Sequence, residues 1–239
     1  MIPSMSDQAA NAGLLRSLGK LARGLSALFW GLPAALIVSV RAAKSDWLPP
    51  WMFVPVVILH ALLLFGLWQM SAFRPKERPW RAALDRAKLL GLVNLGLSPF
   101  LYWYNRVPGQ EFFSIAVLVL GTSGLLFLFN LNVVIERLGA MLPDETLRQE
   151  TRHFTAINRG LLLSLLLLSV AYFCFLHLPN LPMNLRIIAL LLENYSLYAM
   201  VFLILLPLAM TMALIWKTKE AILDSVFGPG PQTPDRPVN

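Results

Sequence analysis

The residues of this chain with the most chemical potential are a few polar ones set inside long apolar runs. His60 lies ten residues into the run 51–70, where an imidazole can relay a proton, hold a metal ion, or donate to a backbone carbonyl or a nearby Ser or Asn. Asn94, Asn130, Asn132 and Glu136, joined by Asn158 and Ser164, fall toward one end of three other runs. Helices through them would bring these groups to a common depth. Carboxamides facing one another there form an interhelical hydrogen-bond network, which is the preferred reading. Around a wet vestibule, the same groups would pass a small solute. His60, Asn94, Asn130 and Asn132 are therefore the candidate intramembrane polar site, with donation to a carbonyl preferred for His60.

Enzymatic chemistry finds little support. No Gly-x-Ser-x-Gly, His-Glu-x-x-His, phosphate-binding loop or dinucleotide fingerprint occurs. Glu150-Thr-Arg-His153 has the spacing that sets a carboxylate and an imidazole on one helical face, but the second copy and further carboxylates of a di-iron bundle are missing. His60, His153 and His177 fall at three different depths, so a multi-histidine metal site is not expected. Cys174 is the single cysteine, which excludes an internal disulfide. Glu193 and Arg186, seven residues apart, read as an interfacial ion pair, and the sequon at Asn194 lies too close to the membrane to be used. No catalytic residue, cofactor or metal is expected.

The elements that must position these residues are six apolar stretches, at 25–40, 51–70, 89–104, 112–135, 160–175 and 195–216. A helix needs about 20 residues to cross a hydrocarbon core of about 30 Å. Lipid offers no partner for backbone N–H and C=O groups, so each stretch must be helical. With 57% hydrophobic and 14% charged residues and a mean hydropathy of +0.63, the chain has more apolar surface than a soluble core absorbs. The expected fold class is all-α: a polytopic transmembrane bundle of six helices.

Charge placement orients it. Arg16, Lys20 and Arg23 precede the first stretch; Arg74, Lys76, Arg78, Arg81, Arg86 and Lys88 fill the second loop. Arg137, Arg148, Arg152 and Arg159 lie in the fourth loop, and Lys217, Lys219 and Arg236 follow the last stretch. Only Arg41, Lys44, Arg106 and Arg186 remain for the other side. The positive-inside rule then sets both termini in the cytoplasm of a plasma membrane, of the bacterial inner-membrane kind. The net charge of +7 is explained by this sorting, so nucleic acid is not an expected partner. Trp47, Trp51, Tyr102, Trp103, Tyr104, Tyr195 and Tyr198 mark the outer headgroup level, and Trp68 and Trp216 the inner one. The first stretch has a competing reading as a signal peptide, set aside because Arg41 would sit beside the cleavage site and removal would spoil the charge sorting.

Ala27, Gly31, Ala35 and Ser39 recur every four residues on the first helix and predict a face for close helix contact, with Pro33 able to kink it. In the second loop, Trp80, Ala83, Leu84 and Ala87 share one side of a short amphipathic helix. Arg74, Lys76, Arg78, Trp80 and Arg81 are thus a candidate site for anionic lipid headgroups, with an acidic soluble protein as the sharper alternative. In the fourth loop, Pro143 followed by Asp144 and Glu145 predicts a helix start, since carboxylates there meet unpaired N–H groups. Nothing interrupts helix from there, so the fifth helix should begin near Asp144, run to about Leu178 and protrude some 20 Å into the cytoplasm at about 1.5 Å per residue. Leu147, Phe154, Ile157 and Leu161 form a broken apolar line on it. Asp144, Glu145, Arg148, Arg152 and Phe154 are the candidate partner-binding projection.

Proline-bearing outer turns at 47–52 and 178–183 are too common a pattern to establish an internal repeat. The segment 184–194 is expected to extend the sixth helix outward or lie at the interface, and Pro207 to bend that helix. One domain, 1–228, precedes a disordered tail at 229–239 with four prolines. The expected function is that of a membrane subunit or scaffold presenting cytoplasmic loops to a cytoplasmic or membrane protein; the alternative is a small-solute transporter or channel.

Overall fold

The computed structural model describes residues 5–44, 51, 53–74, 77–107, 109–141, 145–176 and 203–224. Both outer proline turns, the segment 184–194, the sequon, the tail, Lys76 and Asp144 lie outside them. Every described element is a helix: α1 Met5–Lys44, α2 Phe53–Met70, α3 Arg78–Leu97, α4 Phe100–Arg106, α5 Glu111–Met141, α6 Glu145–Leu176, and α7 over 203–224. Four described segments are long and apolar enough to cross a membrane: Gly13–Ala43 of α1, α2, α5, and Arg148–Ala171 of α6.

Several helices run beyond their apolar stretches, because nothing in the flanking sequence stops them. α1 is 40 residues long, about 60 Å at 1.5 Å per residue, and continues through Pro33. α6 is unbroken from Glu145 to Leu176, in accord with the helix start expected near Asp144. The separate amphipathic helix expected in the second loop is instead the opening of α3.

The single helix expected over 89–104 is broken at Ser98–Pro99, and the break has a local cause. Pro99 carries no N–H for the carbonyl of Leu95, four residues back. The Ser98 hydroxyl takes that carbonyl instead, at 2.9 Å, and α4 begins after the proline. Ser98 is fully buried, so this substitute bond is made out of reach of water.

α1 and α2 form the tightest pair. A Cβ on Gly24 would lie 2.6 Å from the Gly66 carbonyl oxygen and 2.8 Å from Met70 Cγ, so the two backbones meet there with no room for a side chain. Two members of the small-residue face of α1 take part: a Cβ on Gly31 would meet Leu63, and Ala27 lies against Gly66. Leu21, Leu25, Leu28, Leu32 and Ala35 are buried at alternating spacings of four and three, which places one α1 stripe in the core. The core continues through Leu67 and Met70 of α2, Trp80 and Leu84 of α3, Leu131, Ile135 and Leu138 of α5, Leu162 of α6 and Ile215 of α7.

Trp80 anchors the α2–α3 corner. Its indole N–H donates to the Phe73 carbonyl at 3.1 Å, its ring meets Phe73 edge-on, and it is fully buried. A second, smaller core of Ala42, Val56, Leu101 and Leu120 closes the opposite end, where Tyr102 also turns inward instead of marking a boundary. Trp51, Trp68, Trp103, Tyr104 and Trp216 are exposed.

Close backbone contact at Gly24 predicts an asymmetric response to one added methyl group. Gly24→Ala should lower stability by about 1–3 kcal/mol through overpacking. Gly13→Ala, where a Cβ meets nothing within 4 Å, should leave it unchanged or raise it by up to about 1 kcal/mol. Denaturant titration of the detergent-solubilised protein checks both.

Candidate functional site

The polar groups are buried in two separate places. The first is a seam between α5, α6 and α7. On α6, Thr151, Thr155, Asn158, Leu162, Leu165 and Ser169 are buried at alternating spacings of four and three, so one stripe faces the bundle and its N-terminal half is polar. Asn132 of α5 and Thr211 of α7 are fully buried opposite Asn158.

These three residues are joined by hydrogen bonds. The Asn158 amide donates to Asn132 Oδ1 at 3.0 Å, to Thr211 Oγ1 at 2.9 Å and to the Pro207 carbonyl at 3.1 Å, its two protons shared among three acceptors. Asn132 Nδ2 donates to Thr211 Oγ1 at 3.0 Å and to the Leu128 carbonyl at 2.8 Å. The Thr211 hydroxyl in turn donates to the Pro207 carbonyl at 2.8 Å. Asn158 Oδ1 and Thr155 Oγ1, one turn apart on α6, have no hydrogen-bond partner among the described residues.

Ionic contacts continue the seam along the same helices. Glu136, one turn beyond Asn132, accepts from Arg159 Nη1 at 2.7 Å, and the guanidinium lies 5.7 Å from the Phe129 ring centre. Farther along, Thr151 packs on Gly139, and Lys217 of α7 donates to Glu150 at 2.6 Å while its ammonium lies over Phe154. Glu150 is thereby paired with a lysine, and His153 is exposed. No group of three metal-ligating side chains occurs among the described residues.

The second place is an open-sided cavity of about 260 Å³ bordered by α1, α2, α3, α4, α5 and α7. Its described lining is apolar except for Ser39, His60 and Asn94. His60 Nδ1 lies 2.8 Å from the Val56 carbonyl, so Nδ1 carries the proton and the neutral ring keeps Nε2 as an acceptor. Asn94, only 5% exposed, accepts at Oδ1 from the Ser123 hydroxyl at 2.6 Å.

The four residues expected to form one polar site are thus distributed. His60 and Asn94 share the cavity, Asn132 belongs to the seam, and Asn130 donates to the Leu126 carbonyl of its own helix at 2.9 Å. Ser164 is exposed and lines a smaller pocket with Pro207, away from the Asn132 bonds. Sequence reasoning passed over Ser123 and Thr211. The one available signal was Thr211 standing four residues after Pro207, where a hydroxyl bonds back to the carbonyl.

Of the projection, Glu145 and Arg148 pair loosely at 3.8 Å, Arg152 is exposed and Phe154 is 43% exposed. Of the basic loop, Arg78 and Arg81 are exposed, and Arg74 has a positive φ of 39° with its guanidinium 5.8 Å from the Phe73 ring centre. Trp80 points into the core, so its ring contacts protein and not a headgroup layer. The chain matches no known protein family, no curated protein and no solved structure.

The seam bonds predict that Asn158→Ala costs about 1–2 kcal/mol, because Asn132 and Thr211 lose their shared partner. Asn130→Ala, which removes only a bond within its own helix, should stay within about 0.5 kcal/mol of the parent. Unfolding of each variant in mixed micelles, compared with the parent, checks both values.

Proposed function

We propose that this chain is a multi-pass plasma-membrane protein, crossing six times with both termini cytoplasmic, that serves as a subunit or scaffold for a protein partner. The membrane reading is supported by α2. Its 18 residues have a mean hydropathy of 2.0, yet only 28% of them are buried within the protein, leaving Ile58, Phe65 and Trp68 outside. Water would oppose such a surface and lipid tails would accept it. Basic residues grouped at one end of the bundle orient it, and Arg74, Lys76, Arg78 and Arg81 there suit anionic headgroups.

One observation carries the scaffold reading: α6 begins some fifteen residues before its apolar half, and those residues are held rigidly. Thr151 is packed on Gly139, Glu150 is tied to Lys217 and Arg159 to Glu136. Along one edge of the buried α6 stripe this leaves Phe154 and Ile157 exposed, and along the other edge Arg148 and Arg152. Exposed apolar side chains and arginines on one projecting helix are residue types enriched in protein-binding patches. Transport is the weaker reading, because the donors of Asn132, Asn158 and Thr211 are spent on one another and on backbone carbonyls.

A photocrosslinking amino acid at Arg152 or Ile157 in living cells should capture a defined protein, whereas one at the lipid-facing Leu167 should not. Ile157→Asp should weaken binding of the captured partner at least fivefold, about 1 kcal/mol. Reporter fusions should place both chain ends in the cytoplasm; ends in opposite compartments would end this reading.

A further inference from the structure

The cavity holding His60 and Asn94 has no part in the scaffold reading, and its chemistry is specific. We propose that it binds a neutral, lipid-soluble molecule with a single slender apolar body and a hydroxyl group at its polar end.

Size sets the first limit. A space of about 260 Å³ lies near the lower end of small-molecule sites, enough for one chain or one ring and too little for a two-chain phospholipid. The lining sets the second. No described lining residue is charged, so a carboxylate, phosphate or ammonium group would enter without a counter-charge. Leu32, Leu36, Val117, Leu120 and Leu128 offer aliphatic contact to the body of a guest.

The polar pair sets the third. Ser123 donates to Asn94 Oδ1, so the part of that carboxamide offered to a guest is the amide donor. His60 spends its one N–H on Val56 and keeps a lone pair at Nε2. The wall therefore holds an amide donor on a side chain that is 95% buried, together with an imidazole acceptor. A carbonyl guest would serve the donor alone and an alkane neither, whereas a hydroxyl can accept from the amide and donate to the imidazole. The space itself exists because α5 carries Gly121 and Gly124 there, where an added Cβ would meet nothing within 4 Å. Gly121 is exposed, placing the rim of the cavity toward the surrounding lipid, the phase in which such a guest dissolves.

The test uses the full chain in phosphatidylcholine nanodiscs and a diazirine-bearing ten-carbon alcohol as probe, with labelled peptides located by mass spectrometry. Labelling should fall on α1 and α5 beside the cavity, and decan-1-ol should compete at least tenfold better than decane. His60→Phe and Asn94→Leu should each reduce that preference at least fivefold. Gly121→Leu, which fills open space and leaves the packing intact, should abolish labelling in a protein that still elutes as a single species. Equal competition by decane and decanol would overturn the proposal in favour of ordinary lipid filling. Labelling that survives Gly121→Leu, or a preference untouched by His60→Phe, would overturn it as well. None of these outcomes depends on the cytoplasmic partner.

Discussion

A carboxamide buried between helices has two donors and an acceptor to place, and in an apolar setting each unplaced group costs far more than it would beside water. Asn158 sits at the centre of that constraint. Its donors reach α5 through Asn132 and α7 through Thr211 and Pro207, so three helices must hold one rotation about their axes for the bonds to close. Turning α6 by one residue would carry Asn158 out of the seam and set Ile157 or Arg159 in its place. Hydrophobic matching could not select the register so sharply, because the outer faces of these helices are as apolar as their inner ones.

The opposite side of the bundle is held by different physics. α1 and α2 meet at Gly24 and Gly66, where backbone touches backbone and dispersion contacts replace polar bonds. Small residues that permit close approach in one place leave space in another: Ala35, Ser39 and Ala43 of α1 and Gly121 and Gly124 of α5 all border the cavity. The cavity lies between the glycine-packed pair and the polar seam. Neither packing mode extends across it, and His60 and Asn94 are the polar side chains that face it from α2 and α3.

Much of this architecture is legible in sequence. Long apolar runs mark the helices, and the absence of Gly or Pro from 144 to 159 marks the continuous α6, because helix propensity and hydropathy are local properties that add along the chain. The depth shared by Asn132 and Asn158 could likewise be counted from the helix ends. Which groups meet could not, since that depends on rotation about each axis. Asn130 and Asn132 differ by two residues, about 200° around the helix, and only Asn132 faces α6 and α7. Trp80 shows the same limit: its stripe with Ala83, Leu84 and Ala87 is correct, but a stripe does not say whether lipid or protein lies against it. The break at Ser98–Pro99 was written in the proline, and what hid it was the apolar character of both flanks.

α5 links all of these features. Along its 31 residues, about 46 Å, it passes the cavity at Val117 to Leu128, the seam at Asn132, the ion pair at Glu136 and the Thr151 contact at Gly139. Continuity of this kind invites a claim that events at one end are felt at the other, but transmission needs an element with two arrangements that both ends can bias. Here the C-terminal half of α5 is held in one arrangement, with Asn132 saturated and Glu136 paired. The rod therefore fixes where the N-terminal half of α6 stands relative to the rest of the bundle. A guest in the cavity would adjust the packing of α1 and α2 against α5, while the seam holds the projection in place.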